Sequence, residues 1–268
     1  MSHSYVPLTS FDLALAAALL ITNVAISWVF HLKLERSLAI AAVRMVVQLA
    51  LVGLVLKLVF AQTSPIWTAL IGLVMVAAAA VEVTTRQHRR ISGWHVFGFS
   101  SATLLFIGLA ITGLGVGVII GPDPWYAPRY LLPILGMVLG NTMTAVSLVL
   151  DTFTETAHRE RGAIEAQLSL GAHRFQALRN VLHVALRTGM MPILNSMATT
   201  GIVALPGMMT GQILAGADPV EAAKYQVLIM FLIASATALG SFFAALAGVL
   251  LLTDKRHRLR LDRTSAQS

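Results

Sequence analysis

Seven long apolar stretches, at about 11–30, 38–60, 66–83, 95–120, 128–150, 190–214 and 225–252, constrain this chain more than any other feature. A bilayer core of about 30 Å takes roughly 20 apolar residues as helix, and each stretch reaches or approaches that length. Lipid offers no partner to a bare N–H or C=O, so an open strand is excluded and each run is expected to be helical. With 57% hydrophobic and 12% charged residues over 268 positions, the chain holds more apolar surface than a soluble domain can hide. The expected fold class is an all-α integral membrane protein, one polytopic domain over 1–268 with about seven transmembrane helices.

The charges supply an orientation. Lys33 and Arg36 follow the first run, and Arg86, Arg89 and Arg90 the third. Arg159, Arg161, Arg174, Arg179 and Arg187 follow the fifth, and Lys255, Arg256, Arg258, Arg260 and Arg263 the last. The intervening loops hold only Arg129 and Lys224. Cationic loops stay on the cytoplasmic side, which puts the N-terminus outside and the C-terminus inside, in a plasma membrane (a bacterial inner membrane). The net charge of +7 is thereby read as topology rather than as nucleic-acid binding. The first twelve residues carry no Lys or Arg, so the first run is expected to be a retained span rather than a signal. There is no Cys, which excludes disulfides and thiolate metal sites.

Local signals mark the element edges. Ser37 and Ser64 are expected N-caps of the second and third spans, with Pro65 at a first helical position. Asp218, Pro219 and Glu221 have the same form, a cap, a Pro at N1 and an acid at N3. Gly113, Gly117 and Gly121, and Gly136 and Gly140, recur every fourth residue and are expected at close helix contacts or a dimer seam. The tail after Leu252 is expected to fray.

Polar groups inside spans are costly and usually face the bundle interior. Arg44 and Gln48 share one face of the second span, and Glu82 ends the third on the same side. Arg44–Glu82 is read as an ion pair or as a gate that opens when the pair breaks, with Glu82–Arg86 a competing pair. Asn141 and Asn195 are candidate pathway residues, because a buried carboxamide is expensive, and Asp151 closes the fifth span. Pro206 and Gly207 should break the sixth span, and broken helices often hold transporter substrate sites. Met208, Met209 and Gln212 lie just beyond. Their thioethers would suit a soft metal better than ferric iron, or would simply pack. No His lies mid-membrane and no metal is firmly assigned.

The longest polar interruption, 151–189, contains E-A-Q-L-S-L-G, Glu165 to Gly171. Ile164 and Leu168 share a helical face, and Gly171 suits a C′ position. A second stripe follows at Phe175, Leu178, Leu182 and Leu186. The segment reads either as an amphipathic helix on the inner leaflet or as a protrusion that docks in a partner's groove. Glu165, Ala166, Leu168 and Gly171 match the core of the coupling segment of ABC-transporter permeases, which docks on a separate ATPase.

The blocks Pro128–Asn141 (P-R-Y-L-L-P-I-L-G-M-V-L-G-N), Glu165–Ala172 and Arg187–Pro219, which includes P-G-M-M-T-G-Q-I-L-A-G, together with Val43–Gly53 and Lys224–Gln226, resemble the FetB-like iron-export permease family. Plant relatives of that family are linked to aluminium tolerance. The resemblance covers about 12–252 and implies a permease subunit, not an enzyme, that exports iron with a cytosolic ABC ATPase. It also implies a homodimer in the lipid bilayer. No G-x-x-x-x-G-K-[ST] loop occurs, so no cofactor is expected on the chain itself and ATP would be used by the partner. A proton-coupled secondary transporter with Glu82 as relay remains the alternative reading.

Overall fold

The computed structural model describes residues 9–62, 64–85, 89–91, 94–254 and 258–266. Its helices, in chain order, are α1 (Ser10–Val29), α2 (Glu35–Gln62), α3 (Pro65–Thr85), α4 (Trp94–Gly113), α5 (Pro128–Arg159), α6 (Arg161–Ser169), α7 (Arg174–Ala177), α8 (Arg179–Thr199), α9 (Gly207–Leu214) and α10 (Pro219–Leu251). A π-helical turn, Leu114–Ile120, continues α4. The only strands among the described residues are β1 (Arg89–Ile91) and β2 (Thr264–Ala266), paired antiparallel with Arg90 opposite Ser265.

Six of these helices, α1 to α5 and α10, are long and apolar enough to cross a membrane. Where the sequence suggests a span at 190–214, the chain instead forms the end of α8, an irregular turn at 200–206, and α9. Several boundaries also differ from the sequence reading. α5 runs on to Arg159, so Asp151 lies within the helix rather than closing it. α2 starts at Glu35, which places Ser37 inside its first turn. Asp218 caps α10 through its Oδ1, which accepts from the N–H groups of Val220 and Glu221. Thr9 and Asp12 form a capping box on α1.

The bundle is built around α5, which packs against α10, α8, α3 and α4. Helices gain little from the hydrophobic effect when lipid is the solvent, so close approach by small residues has to supply the contact. α10 provides it with Ala236, Gly240, Ala244, Ala245 and Gly248. A Cβ on Gly240 would press on Thr142, and one on Gly248 would lie 2.9 Å from the Phe153 ring. Phe153 is fully buried in that notch. On α8, Gly189 abuts Ala145 and Val149 of α5 and Ser241 of α10. The contacting glycines among the described residues are therefore Gly72, Gly108, Gly115, Gly136, Gly189, Gly240 and Gly248. Of those expected from their spacing, only Gly136 meets a neighbour, Met75, while Gly113, Gly117, Gly121 and Gly140 face open space.

These contacts fix directions. Asn180 bonds Glu160, and Gly189 lies against Ala145 and Val149, so α8 runs antiparallel to α5. Gly240 meets Thr142 and Gly248 meets Phe153, so α10 runs parallel to α5. α1 and α2 form a loosely attached hairpin, with α2 carrying exposed apolar residues along most of its length.

The tail does not fray at 258–266. Leu259 and Leu261 pack on the main apolar cluster, β2 pairs with β1, and His158 Nε2 lies 2.8 Å from Thr264 Oγ1. Asp262 accepts from Arg260 and raises the guanidinium pKa above its ordinary value. Residues 1–8, Arg86, His88, Lys255, Arg256 and His257 lie outside the described residues.

The glycine contacts generate a paired test. Gly189→Val should destabilise the protein by about 1–3 kcal/mol through overpacking, whereas Gly117→Ala should change stability by less than about 0.5 kcal/mol. Equilibrium unfolding of both variants in mixed micelles measures the difference.

Candidate functional site

Three groups of candidate residues stand apart in space. The first is the elbow beyond the Arg159 end of α5. A helix of 32 residues is about 48 Å long, so α5 is longer than a bilayer core of about 30 Å, and α6 and α7 follow its Arg159 end. Ile164 is buried and Leu168 half-buried against the main cluster, which anchors one face of α6. Gly171 follows the C-cap Leu170 with φ +88°, a left-handed value that glycine adopts without strain. The Gly171 N–H donates to the Leu168 carbonyl and the Ala172 N–H to that of Gln167, which closes the helix. Arg161 Nε bonds Glu165 Oε1 at 2.8 Å on the exposed side. Asn180 Nδ2 donates to both Glu160 carboxylate oxygens at 2.9 Å and braces the elbow against α8.

The outward face of the elbow carries Ala166, Gln167 and Leu170. Leu170 is 88% exposed, and sequence reasoning passed it over. The signal was present, since two residues turn a helix by about 200° and Leu168 faces inward. The second apolar stripe is not a free amphipathic helix. Leu178 is fully buried and Leu182 packs on the cluster, because α8 starts at Arg179 and runs straight into the bundle.

The second group surrounds the break at 200–206. By the α5–α8 register, Thr199 falls about level with Met137, nine residues or about 14 Å inside the start of α5. Trp125 and Tyr126 stand just before that start, as residues of a membrane interface do. Gly201 has φ +87°, and the Ile202, Val203 and Ala204 N–H groups all turn back to the Thr199 carbonyl. The turn presents Ile202 and Val203, 90% and 79% exposed. Pro206 caps α9 and Gly207 begins it.

Asn141 and Asn195 come about level under the same register, both exposed, with no hydrogen bond between them. Asn141 Nδ2 donates instead to the Met137 carbonyl. Met208 packs on the second apolar cluster, as a filler would, and Met209 is half-buried. Gln212 Oε1 is buried without a partner, and so is Gln226 Oε1 on α10, the helix against which α9 packs. The hydroxyls of Thr142, Ser147, Thr237 and Ser241 are likewise buried and unpartnered, in the core that α5 and α10 share. Among the described residues no three His, Cys, Asp or Glu side chains gather to hold a metal.

The third group lines a cavity of about 690 Å³ between α2, α3 and α5. It brings Arg44, Gln48 and Glu82 together, and Asp151 stays outside it. Arg44 Nη2 and Glu82 Oε2 lie 3.0 Å apart, with the arginine side chain 59% exposed and the glutamate 20%. The competing partner Arg86 lies outside the described residues.

Comparison with known proteins adds an identity to this geometry. Residues 10–251 match the family model described as Uncharacterised protein family (UPF0014). The UPF0014 membrane protein YjkA of Bacillus subtilis (strain 168) is 37% identical over 85% of this chain and 89% of its own. The Probable iron export permease protein FetB of Escherichia coli (strain K12) is 33% identical over 94% and 95%. Protein ALUMINUM SENSITIVE 3 of Arabidopsis thaliana is 32% identical over 84% and 81%. No solved structure matches the chain. A family match across nearly all of an apolar helical bundle makes this chain a membrane protein of the UPF0014 family.

Proposed function

We propose that the protein is the permease subunit of an ATP-driven exporter of iron or a related metal, moved by a separate cytosolic ABC ATPase. The observation that carries this reading is the elbow. An apolar residue 88% exposed in water, on a short helix anchored through Ile164 and closed by Gly171, suits a partner's groove better than solvent. Glu165 and Arg161 beside it would fix orientation more than affinity. The cargo class rests on the E. coli relative, named an iron export permease, which aligns along almost the whole of both chains.

The path supports seven crossings rather than six. α5 and α10 run parallel, so the chain must return between them, and α8, the turn and α9 are what returns it. With basic residues concentrated beyond the Arg159 end of α5, that end is cytoplasmic and the N-terminus outside. In a bacterium the membrane is the inner one. Turn carbonyls at mid-depth need protein or water against them. A homodimer that closes two α8–α9 breaks around a wet conduit provides both, with Asn141, Asn195 and Gln212 near the path. The ligands available are carboxamides, hydroxyls and thioethers, so the cargo is held weakly or travels as a chelate. The Arg44–Glu82 pair gates the cytoplasmic mouth.

Co-purification from membranes tests the reading as a whole. A nucleotide-binding subunit should accompany the protein, and its ATP hydrolysis should rise with added iron. Transport by the purified protein alone under a proton gradient would replace this reading with a secondary transporter. Leu170→Asp and Glu165→Arg should each weaken ATPase capture at least about tenfold, or 1.4 kcal/mol, without loss of membrane insertion. Pull-down at matched expression measures it. Arg44→Ala strands a carboxylate and should lower metal efflux about tenfold, and adding Glu82→Gln should recover much of that loss. Efflux in cells carrying the single and double variants measures the coupling.

A further inference from the structure

We infer that the cleft between α2 and the wall made by α3 and α5 binds one phospholipid, its phosphate on Arg44 and an acyl chain along an apolar floor. The floor is a cavity of about 800 Å³ lined by Leu51, Val55, Val59, Trp67, Leu70 and Val74 among others. It continues into the polar cavity around Arg44, since Met75 and Gly136 line both. α2 is tied across the cleft near its two ends. Arg44 meets Glu82 at one, and at the other the Arg129 guanidinium sits 6.0 Å from the Phe60 ring.

The shape selects an amphiphile. From Arg44 to Val59 the cleft, polar end and floor together, follows fifteen residues of helix, about 22 Å, while one leaflet is about 15 Å deep. The cleft is thus long enough for an acyl chain lying beside α2. At its polar end a guanidinium has five N–H donors, and Arg44 makes one bond, to Glu82. An arginine at membrane depth requires partners for the remainder, and the guanidinium fork matches phosphate oxygens. Gln48, one turn along, adds a carboxamide to the same wall. A soluble phosphate would leave the apolar floor uncovered. A helix from a second copy would cover the floor and leave the arginine donors unmet.

This inference needs the membrane location only and stands apart from the ATPase partner and the cargo. Native mass spectrometry of the full chain, drawn from nanodiscs of phosphatidylethanolamine and phosphatidylglycerol into mild detergent, provides the test. One phospholipid should remain per protomer. Arg44→Ala should cut retention at least about fivefold, and Arg44→Lys should restore only part of it. Val74→Trp, at an exposed position, should fill the floor and displace the lipid while the protein stays monodisperse. Protein free of lipid, retention unchanged by Arg44→Ala, equal retention of diacylglycerol, or inorganic phosphate bound as well as phospholipid would each overturn the inference. So would cysteine cross-links from Val55 to a second copy in place of lipid.

Discussion

Backbone hydrogen bonding in a solvent that cannot supply it governs this structure. The six described helices of membrane length meet the demand without such a break. The break lies at 200–206, in the stretch that the proposed reading takes as a seventh crossing, where Thr199 alone takes three N–H groups and Gly201 adopts a left-handed conformation. In lipid each exposed peptide group there would cost several kcal/mol. The exposed Ile202 and Val203 side chains cost nothing in lipid, so it is the carbonyls of the turn that, on the proposed reading, need protein or water against them. Conduit and dimer meet in that requirement, and on the proposed reading they are one feature.

The rest of the bundle is a frame for the break. α5 is its axis, α10 supplies small residues against it, and α8 is pinned by Gly189 at one level and by Asn180–Glu160 at another. The same α8 that ends in the break begins beside the elbow. On the proposed reading, a push on α6 would reach the break by a short route, through Glu160, Asn180 and one helix. The tail reinforces that end, since Leu259 and Leu261 join the cluster that holds Ile164 and Leu178. The α1–α2 hairpin sits outside this frame, held at Arg44–Glu82 and Phe60–Arg129 across an open cleft.

Much of this was legible before the structure, for physical reasons. Apolar runs of membrane length announce helices, and Asp218-Pro219 with Glu221 writes a helix start into local chemistry. Arg44 and Glu82 could be paired because charges in spans seek each other. Other features were hidden. The G-x-x-x-G spacing at 113–121 pointed to helix contacts that Gly108 and Gly115 make instead, because Gly113 and Gly117 each stand two residues from Gly115 and so turn away from its face. The length of α5 was hidden because Asp151 looks like the end of an apolar run, although a helix continues through charged residues wherever water or protein receives them. Leu170 stayed hidden because a lone apolar residue in a polar loop has no periodic partner on its own face to mark it. The ordering of 258–266 depends on β1 and on His158, a hundred residues away, which no local pattern reveals.

The break itself offers the most direct measurement. The chain has no cysteine, so Val203→Cys can carry a single nitroxide in liposomes without further engineering. Its relaxation can be compared in molecular oxygen, which collects in lipid, and in a polar nickel chelate, which stays in water. The account predicts strong relaxation by the chelate, little by oxygen, and broadening from a nearby label on a second copy. A label relaxed by oxygen and untouched by the chelate, with no partner label near it, would place the break in lipid and contradict the account.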